Sequence, residues 1–340
     1  MMRILKRREL LVLALLAAMI LSVSTVNPAV LRPITLINIV NSSLFLILIA
    51  IGQMFVVLTR GIDVSVGAIA GLSAVIFGMA LNAGLPLPVA MVCALLTGLA
   101  CGCVNAAGVV FVGVPPIIMT LGTLGAFRGL MRVLTGGSWI ESIPQSIKTL
   151  AVTRYLSVPL MVWAVLAVVI VTAILLSRVK SVRNFYAVGD NREGAYLLGI
   201  NVQMTQFTAY ALAGLFSGAA AIVFTGQIGF VPMQTGSGQE LKAIAAVVLG
   251  GVSLMGGTGS IWSAVIGAIF LTAVDSMMIF LKVPGSWNNA VAGCVLLAIV
   301  VSDYLIRRAV RNRQLAARAA EIRHAEADHH SPLRTTEPIR

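Results

Sequence analysis

Runs of about twenty consecutive apolar residues, the length a helix needs to cross a hydrocarbon layer, recur along nearly all of this 340-residue chain. Nothing else in the sequence constrains the fold as strongly. In lipid, every backbone N–H and C=O must be satisfied within the protein, which leaves helices or a closed β-barrel. The short alternating segments of a barrel are absent. The expected fold is therefore all-α and polytopic, with about ten transmembrane helices. Spans are read at 10–26, 37–58, 64–82, 87–112, 115–134, 158–177, 206–224, 241–254, 260–281 and 289–306. With 59% hydrophobic and only 11% charged residues, no soluble domain fits between them.

Charge sets the orientation. The net charge of +12 invites a nucleic-acid reading, but the basic residues are segregated. Arg3, Lys6, Arg7 and Arg8 precede the first span, and Arg307 to Arg340 follow the last. Arg178, Lys180, Arg183 and Arg192 share one central loop. This is the positive-inside pattern, and it calls for no nucleic acid. Ten crossings put both termini and that loop on the cytoplasmic side of a bacterial inner membrane. The expected organisation is a basic cytoplasmic N-terminus (1–9), a transmembrane domain (10–306) containing a cytoplasmic loop (178–205), and a basic, disordered cytoplasmic tail (307–340). The basic start followed by an apolar run resembles a signal peptide. No small-x-small cleavage site closes it, so it is read as a retained first helix.

Two places interrupt the regular pattern. Arg60 and Asp63 break the stretch 60–66, and 241–254 is short for a span; both are read as full spans or as broken elements. Residues 63–75 loosely echo 239–251, and Val112–Pro116 echoes Leu281–Gly285. Two five-helix halves would have to be inverted, and transporters often place a substrate site between such halves. Glycines at Gly98 and Gly102, at Gly214 and Gly218, and at Gly122, Gly125 and Gly129 are read as close helix packing.

Catalytic motifs are missing. No GxSxG, HExxH or phosphate-loop lysine occurs, and all three histidines lie in the tail. No metal, cofactor or catalytic residue is expected. The four cysteines fall in spans and read as packing residues. An ionisable group inside the apolar region is a functional candidate by default, which singles out Asp63 and Asp275. For Asp63 the competing reading is a helix cap with Ser65; for Asp275 it is a buried structural hydrogen bond rather than a proton relay. Ser65, Asn105, Thr120 and Thr123 join them as a candidate polar path, although span threonines commonly bond their own backbone. The path offers no basic clamp, so a neutral, hydroxyl-rich cargo is expected. Outer loops present Trp139, Glu141, Gln227, Trp287 and Asn288, read either as interfacial belt residues or as contacts for a ligand or docking partner.

The 178–205 loop is the most informative soluble stretch. Asp190 or Asn191 can cap a short helix, Glu193 lies in its first turn, and Gly199 can end it. Ala195, Leu197 and Leu198 give it a small apolar face, of the kind that lies in a partner's groove or on lipid.

Four ordered motifs then converge: LTRGIDVSVG (58–67), PPIIMTLGTL (115–124), FYAVGDN (185–191) and KAIAAVVLGG (242–251). Together they resemble the ribose-permease family of ABC importers over about residues 10–306. GSWIESIP from Gly137 and QIGFVPMQTG from Gln227 are similar to its autoinducer-2-importing branch. The resemblance implies a membrane subunit working by alternating access with a second permease subunit, homologous or identical, a cytoplasmic ATPase and a periplasmic substrate-binding protein. ATP would bind the ATPase. Asp190, Asn191, Glu193, Gly194, Ala195, Leu198 and Gly199 would form the coupling helix seated in the ATPase. Arg60 and Tyr196-Leu197 depart from the usual glycine and alanine. Ribose or another sugar or polyol stands as the alternative cargo, and a proton-coupled secondary transporter as the alternative class.

Overall fold

The computed structural model describes residues 2–287 together with 290, 291, 293, 294, 297 and 301. Most of the expected last span, Asn288 and the 307–340 tail lie outside the described residues. The compact body runs Met1–Leu296.

It is built from helices α1 (Met2–Ser24), α2 (Pro33–Leu58), α3 (Val66–Asn82), α4 (Leu87–Val110), α5 (Pro116–Thr135), α6 (Gln145–Val152), α7 (Leu160–Arg178), α8 (Lys180–Asp190), α9 (Arg192–Leu197), α10 (Val202–Ile228), α11 (Gln239–Gly250) and α12 (Ile261–Phe280). Six of them, α2, α4, α5, α7, α10 and α12, are long and apolar enough to cross a membrane. Their boundaries carry local signals. Proline stands at the start of α2, α4 and α5, where its missing N–H costs nothing. Left-handed Gly136 and Gly229 close α5 and α10, as C-terminal glycines do.

Helix α11 is only 12 residues long, about 18 Å at 1.5 Å per residue. That is well short of a full crossing, so the expected 241–254 span is a broken element with a non-helical approach through 229–238. The 59–65 segment is likewise non-helical and largely buried. Two features escaped the sequence reading. Helix α6 and an antiparallel pair of two-residue strands, Arg154–Tyr155 with Val158–Pro159, fold within the 136–159 loop. Helix α8 occupies the first half of the 178–205 loop.

The core is centred on α2, which is buried continuously from Ser43 to Leu58, as a helix enclosed on all sides must be. Helix α10 packs against α4, α2 and α3; α2 packs against α12, α10 and α11; α3 lies on α4, and α11 on α12. The α4–α10 seam depends on glycine. A Cβ at Gly98 or Gly102 would run into the α10 backbone near Gly214, and one at Gly214 into α4. Gly52 of α2 comes as close to Ala213, whose Cα lies 2.9 Å from the position of a Cβ. The glycines of α5 behave otherwise. Among the described residues, Gly122, Gly125 and Gly129 have nothing within 4 Å of a would-be Cβ, so the expected close helix packing is not made there.

Candidate functional site

Four of the six residues expected along a polar path meet in one buried network. The chain leaves α2 at Leu58 and must restart at Val66, and Asp63 organises the restart. Its Oδ1 accepts from the Ser65 N–H at 2.8 Å and the Ser65 hydroxyl at 2.6 Å. This local Asx turn is the geometry by which aspartate stops one segment and aims the next. Asn105 of α4 donates from Nδ2 to Asp63 Oδ2 at 3.2 Å and to Ser65 Oγ at 2.7 Å. The Thr123 hydroxyl of α5 donates to Asn105 Oδ1 at 2.7 Å. Gln53 of α2, with its amide oriented to match its neighbours, donates to the Asp63 carbonyl at 3.1 Å and accepts from the Asp63 N–H at 3.2 Å. Four helix segments are thus fastened to one aspartate.

The network is closed. Asp63, Ser65, Asn105 and Gln53 have no exposed surface and Thr123 has 8%, so these groups line no open path in this conformation. Thr120 is buried beside them, but its hydroxyl donates to its own helix at Pro116 O, 2.9 Å away.

Asp275 lies elsewhere, on α12, 2.7 Å from Lys242 Nζ of α11. It is an ion-pair partner rather than a lone carboxylate. Lys242 and Arg128 place two basic side chains within the expected spans, apart from the Asp63 network. Arg128 of α5 donates from Nη1 to Thr235 O at 2.5 Å, holding the non-helical approach to α11. Its Nη2 and Glu240 Oε2 are both buried without a hydrogen-bond partner. Glu240 Oε1 accepts from Gly238 N–H at 3.2 Å at the start of α11, where a carboxylate is favoured by the helix dipole. Gly67 fits against Gly236 and Glu240 with no room for a Cβ. The first turns of α3 and α11 therefore meet inside the bundle. A basic residue interrupting an apolar span was the available signal for Arg128 and Lys242; for Gln53 there was none beyond its polarity.

The expected outer-loop residues gather in part. Ile140 and Val231 form an antiparallel bridge, pinning the 136–143 loop to the end of α10. Trp139 stacks on Phe230 with ring centroids 5.6 Å apart and stays exposed. The Glu141 carbonyl accepts from Asn82. Gln227 turns inward instead, donating to Asn41 O at 2.7 Å. Trp287 is exposed, and Asn288 lies outside the described residues.

In the 178–205 loop, Asn191 is the cap: its Oδ1 accepts from Gly194 N–H at 2.9 Å. Glu193 sits in the first turn of α9, and Gly199 leaves it at φ +78°. The expected apolar face divides. Ala195 is buried with Val188 and Val202, whereas Tyr196, Leu197 and Leu198 are 73%, 83% and 81% exposed. Behind α9, helix α8 is anchored by Phe185 edge-on to Phe55 of α2. Burial pushes the Tyr186 phenol above its ordinary value, as its packing against the core implies. A rigid base thus presents three large apolar side chains outward.

Comparisons with known proteins follow this geometry. Residues 35–300 match the family described as branched-chain amino acid transport system / permease component. The chain is 48% identical over 270 residues to the autoinducer 2 import system permease protein LsrC of Photorhabdus luminescens, covering 79% of this chain and 82% of that one. It is 47% identical over 313 residues to the protein of the same name from Enterobacter sp. (strain 638), covering 92% and 91%. With that from Escherichia coli (strain K12 / DH10B) the identity is 48% over 276 residues, covering 81% of each. No solved structure matches.

Proposed function

This chain belongs to the branched-chain amino acid transport system / permease component family, and from that premise we propose that it is the permease subunit of an ABC importer carrying autoinducer-2. The observation that carries the transporter reading is α9: a capped helix on a rigid base with Tyr196, Leu197 and Leu198 held outward. An exposed apolar helix face of this kind fits a groove on a partner, and the partner is a separate cytoplasmic ATPase. The names of the relatives support the cargo.

The same reading assigns the remaining parts. Asp190, Asn191, Glu193, Gly194, Ala195, Leu198 and Gly199 form the coupling element. The pinned loops around Trp139 and Glu141 receive a periplasmic binding protein. A second permease subunit completes the pathway, and both termini lie in the cytoplasm. Ten crossings in two inverted halves are supported by part of the packing: exchanging α2 with α10, α3 with α11 and α4 with α12 turns the α4–α10, α3–α4 and α3–α10 contacts into the α2–α12, α11–α12 and α2–α11 contacts. Asp63, Ser65, Asn105 and Thr123 act as the hub that fixes the broken start of α3, and cargo passes alongside it when the subunit opens.

The deciding measurement is uptake of labelled autoinducer-2 by cells carrying the full gene cluster, with and without this gene, alongside labelled ribose. Loss of autoinducer-2 uptake alone supports the assignment. Loss of ribose uptake alone keeps the permease and replaces the cargo.

A further inference from the structure

We propose that Arg60 is a positioning residue that ties the coupling element to the buried Asp63 hub, so that displacement of α9 is delivered to the start of α3. The proposal deepens the permease reading above and rests on it.

Arg60 sits in the non-helical segment after α2, three residues before Asp63, with φ +64°. That left-handed conformation suits glycine and strains a residue with a Cβ. The side chain offsets the strain by reaching across to the end of α8. Its Nε donates to Gly189 O and its Nη2 to Asp190 O, both at 2.7 Å. These are terminal carbonyls of α8, acceptors that a helix end leaves without intrahelical partners, at the end where a cation is favoured. The next residue, Asn191, caps α9. The clamp is therefore one residue from the coupling helix.

The surroundings leave the joint little play. Gly257 N–H donates to Leu58 O at 3.0 Å, and Gly189 presses on Leu58 O with no room for a Cβ. A Cβ on Gly256 would lie 2.6 Å from Arg60 Cγ. The end of α8 is wedged between the end of α2 and the 251–259 turn, with the guanidinium as its polar fastening. On the inner side, Gln53 grips the Asp63 backbone, and Asp63 holds Ser65 and Asn105. A continuous line of hydrogen bonds and short backbone runs from Asn191 through Arg60 and Asp63 to α3, α4 and α5.

The test uses the complete transporter, both permease subunits, ATPase and binding protein, reconstituted in liposomes. ATP hydrolysis and uptake of labelled autoinducer-2 are measured on the same preparation. Arg60→Gly removes the fastening while relaxing the left-handed backbone, so lost contact is not confounded with added strain. Arg60→Lys keeps the charge but cannot reach both carbonyls with a planar fork. The expected result is that R60G keeps binding-protein-stimulated ATP hydrolysis within about twofold of the parent. Cargo imported per ATP falls about tenfold, the scale of losing charge-assisted hydrogen bonds, and R60K falls between. Unchanged import per ATP in both variants overturns the proposal. So does a parallel fall of hydrolysis and import, which marks Arg60 as a purely structural residue. If R60G does not assemble, R60K alone decides by the same ratio. Absence of autoinducer-2 uptake in the unsubstituted complex removes the cargo reading instead, and the same ratio is then read with labelled ribose; uptake of neither removes the permease reading and the proposal with it.

Discussion

The Asp63 carboxylate gathers the Ser65 N–H, the Ser65 hydroxyl and the Asn105 amide, and its removal takes an acceptor from each. In Asp63→Ala, the Ser65 N–H loses its acceptor and Asn105 loses one of its two; a buried donor left unsatisfied costs about 1–3 kcal/mol. A loss of about 3 kcal/mol is expected, read as a lower unfolding temperature of the detergent-solubilised protein. Asp63→Asn keeps one acceptor and costs less. Lys242 and Asp275 make a second residue-scale test. The pair is partly buried, with Asp275 28% exposed. Breaking it from one side therefore costs less than the roughly 3–5 kcal/mol of a fully buried pair, whereas replacing both members by apolar residues is often neutral. Asp275→Leu alone should therefore lower the yield of folded protein, and Lys242→Met with Asp275→Leu should restore it with uptake retained. If the double variant folds but imports nothing, Asp275 acts in transport. Asp63, Ser65, Asn105 and Thr123 were visible in the sequence because polar groups in apolar spans are conspicuous. Their meeting was not visible, because three helices and a break must first be packed. Lys242 finds Asp275 across 33 residues for the same reason.

Among elements, the apolar helices were legible because apolarity is a local property, but only six of them are long and apolar enough to cross a membrane. Helices α2, α3, α4, α5, α7, α10, α11 and α12 start and stop within about four residues of the expected positions, while α1 begins well before its own. Helices α6 and α8 were not legible, since both are short surface pieces stabilised by what they rest on rather than by their own pattern. The α9 helix was legible through its cap. Removing that cap with Asn191→Ala costs about 1 kcal/mol, which should loosen α9 without unfolding the bundle. Amide exchange at Gly194 and Ala195 is expected to quicken by about fivefold while exchange in α10 stays unchanged. The glycines divide by what they touch. Gly214→Val drives a side chain into the α4 backbone and should abolish recovery of folded protein. Gly125→Val meets nothing among the described residues and should fold normally, as size-exclusion of the purified subunit will show.

For the molecule as a whole, the all-α polytopic class was legible in the sequence, and six of the ten expected crossings are matched by described helices long and apolar enough to span, while the packing of α2 against α10 emerged only from the fold. The faint echo between 63–75 and 239–251 marks the right places, since both lie at the start of a helix entered through buried irregular backbone. It could not show that the first turn of α3 would meet the entry to α11, Gly67 lying against Gly236 and Glu240. Charge separated the ends, but the fastening of α8 to α2 and to the 251–259 turn joins stretches far apart in the chain and has no sequence signature. The open glycine face of α5 belongs to this scale too. Gly125→Trp should leave the isolated subunit folded and lower uptake by the assembled transporter, and equal uptake would remove α5 from the moving or mating surfaces.

The seam between α4 and α10 has a kinematic consequence. Two helices that touch through their backbones have no layer of side chains to act as bearing between them, so neither can slide or roll on the other without losing contact along its length. They form a single strut. Helix α5, by contrast, is joined to the body along few of its sides and carries its hydroxyl and guanidinium fastenings at Thr123 and Arg128. Among α4, α5 and α10, helix α5 is thus the member least interlocked with its neighbours, and any displacement of it has to break or carry along the ties at Thr123 and Arg128.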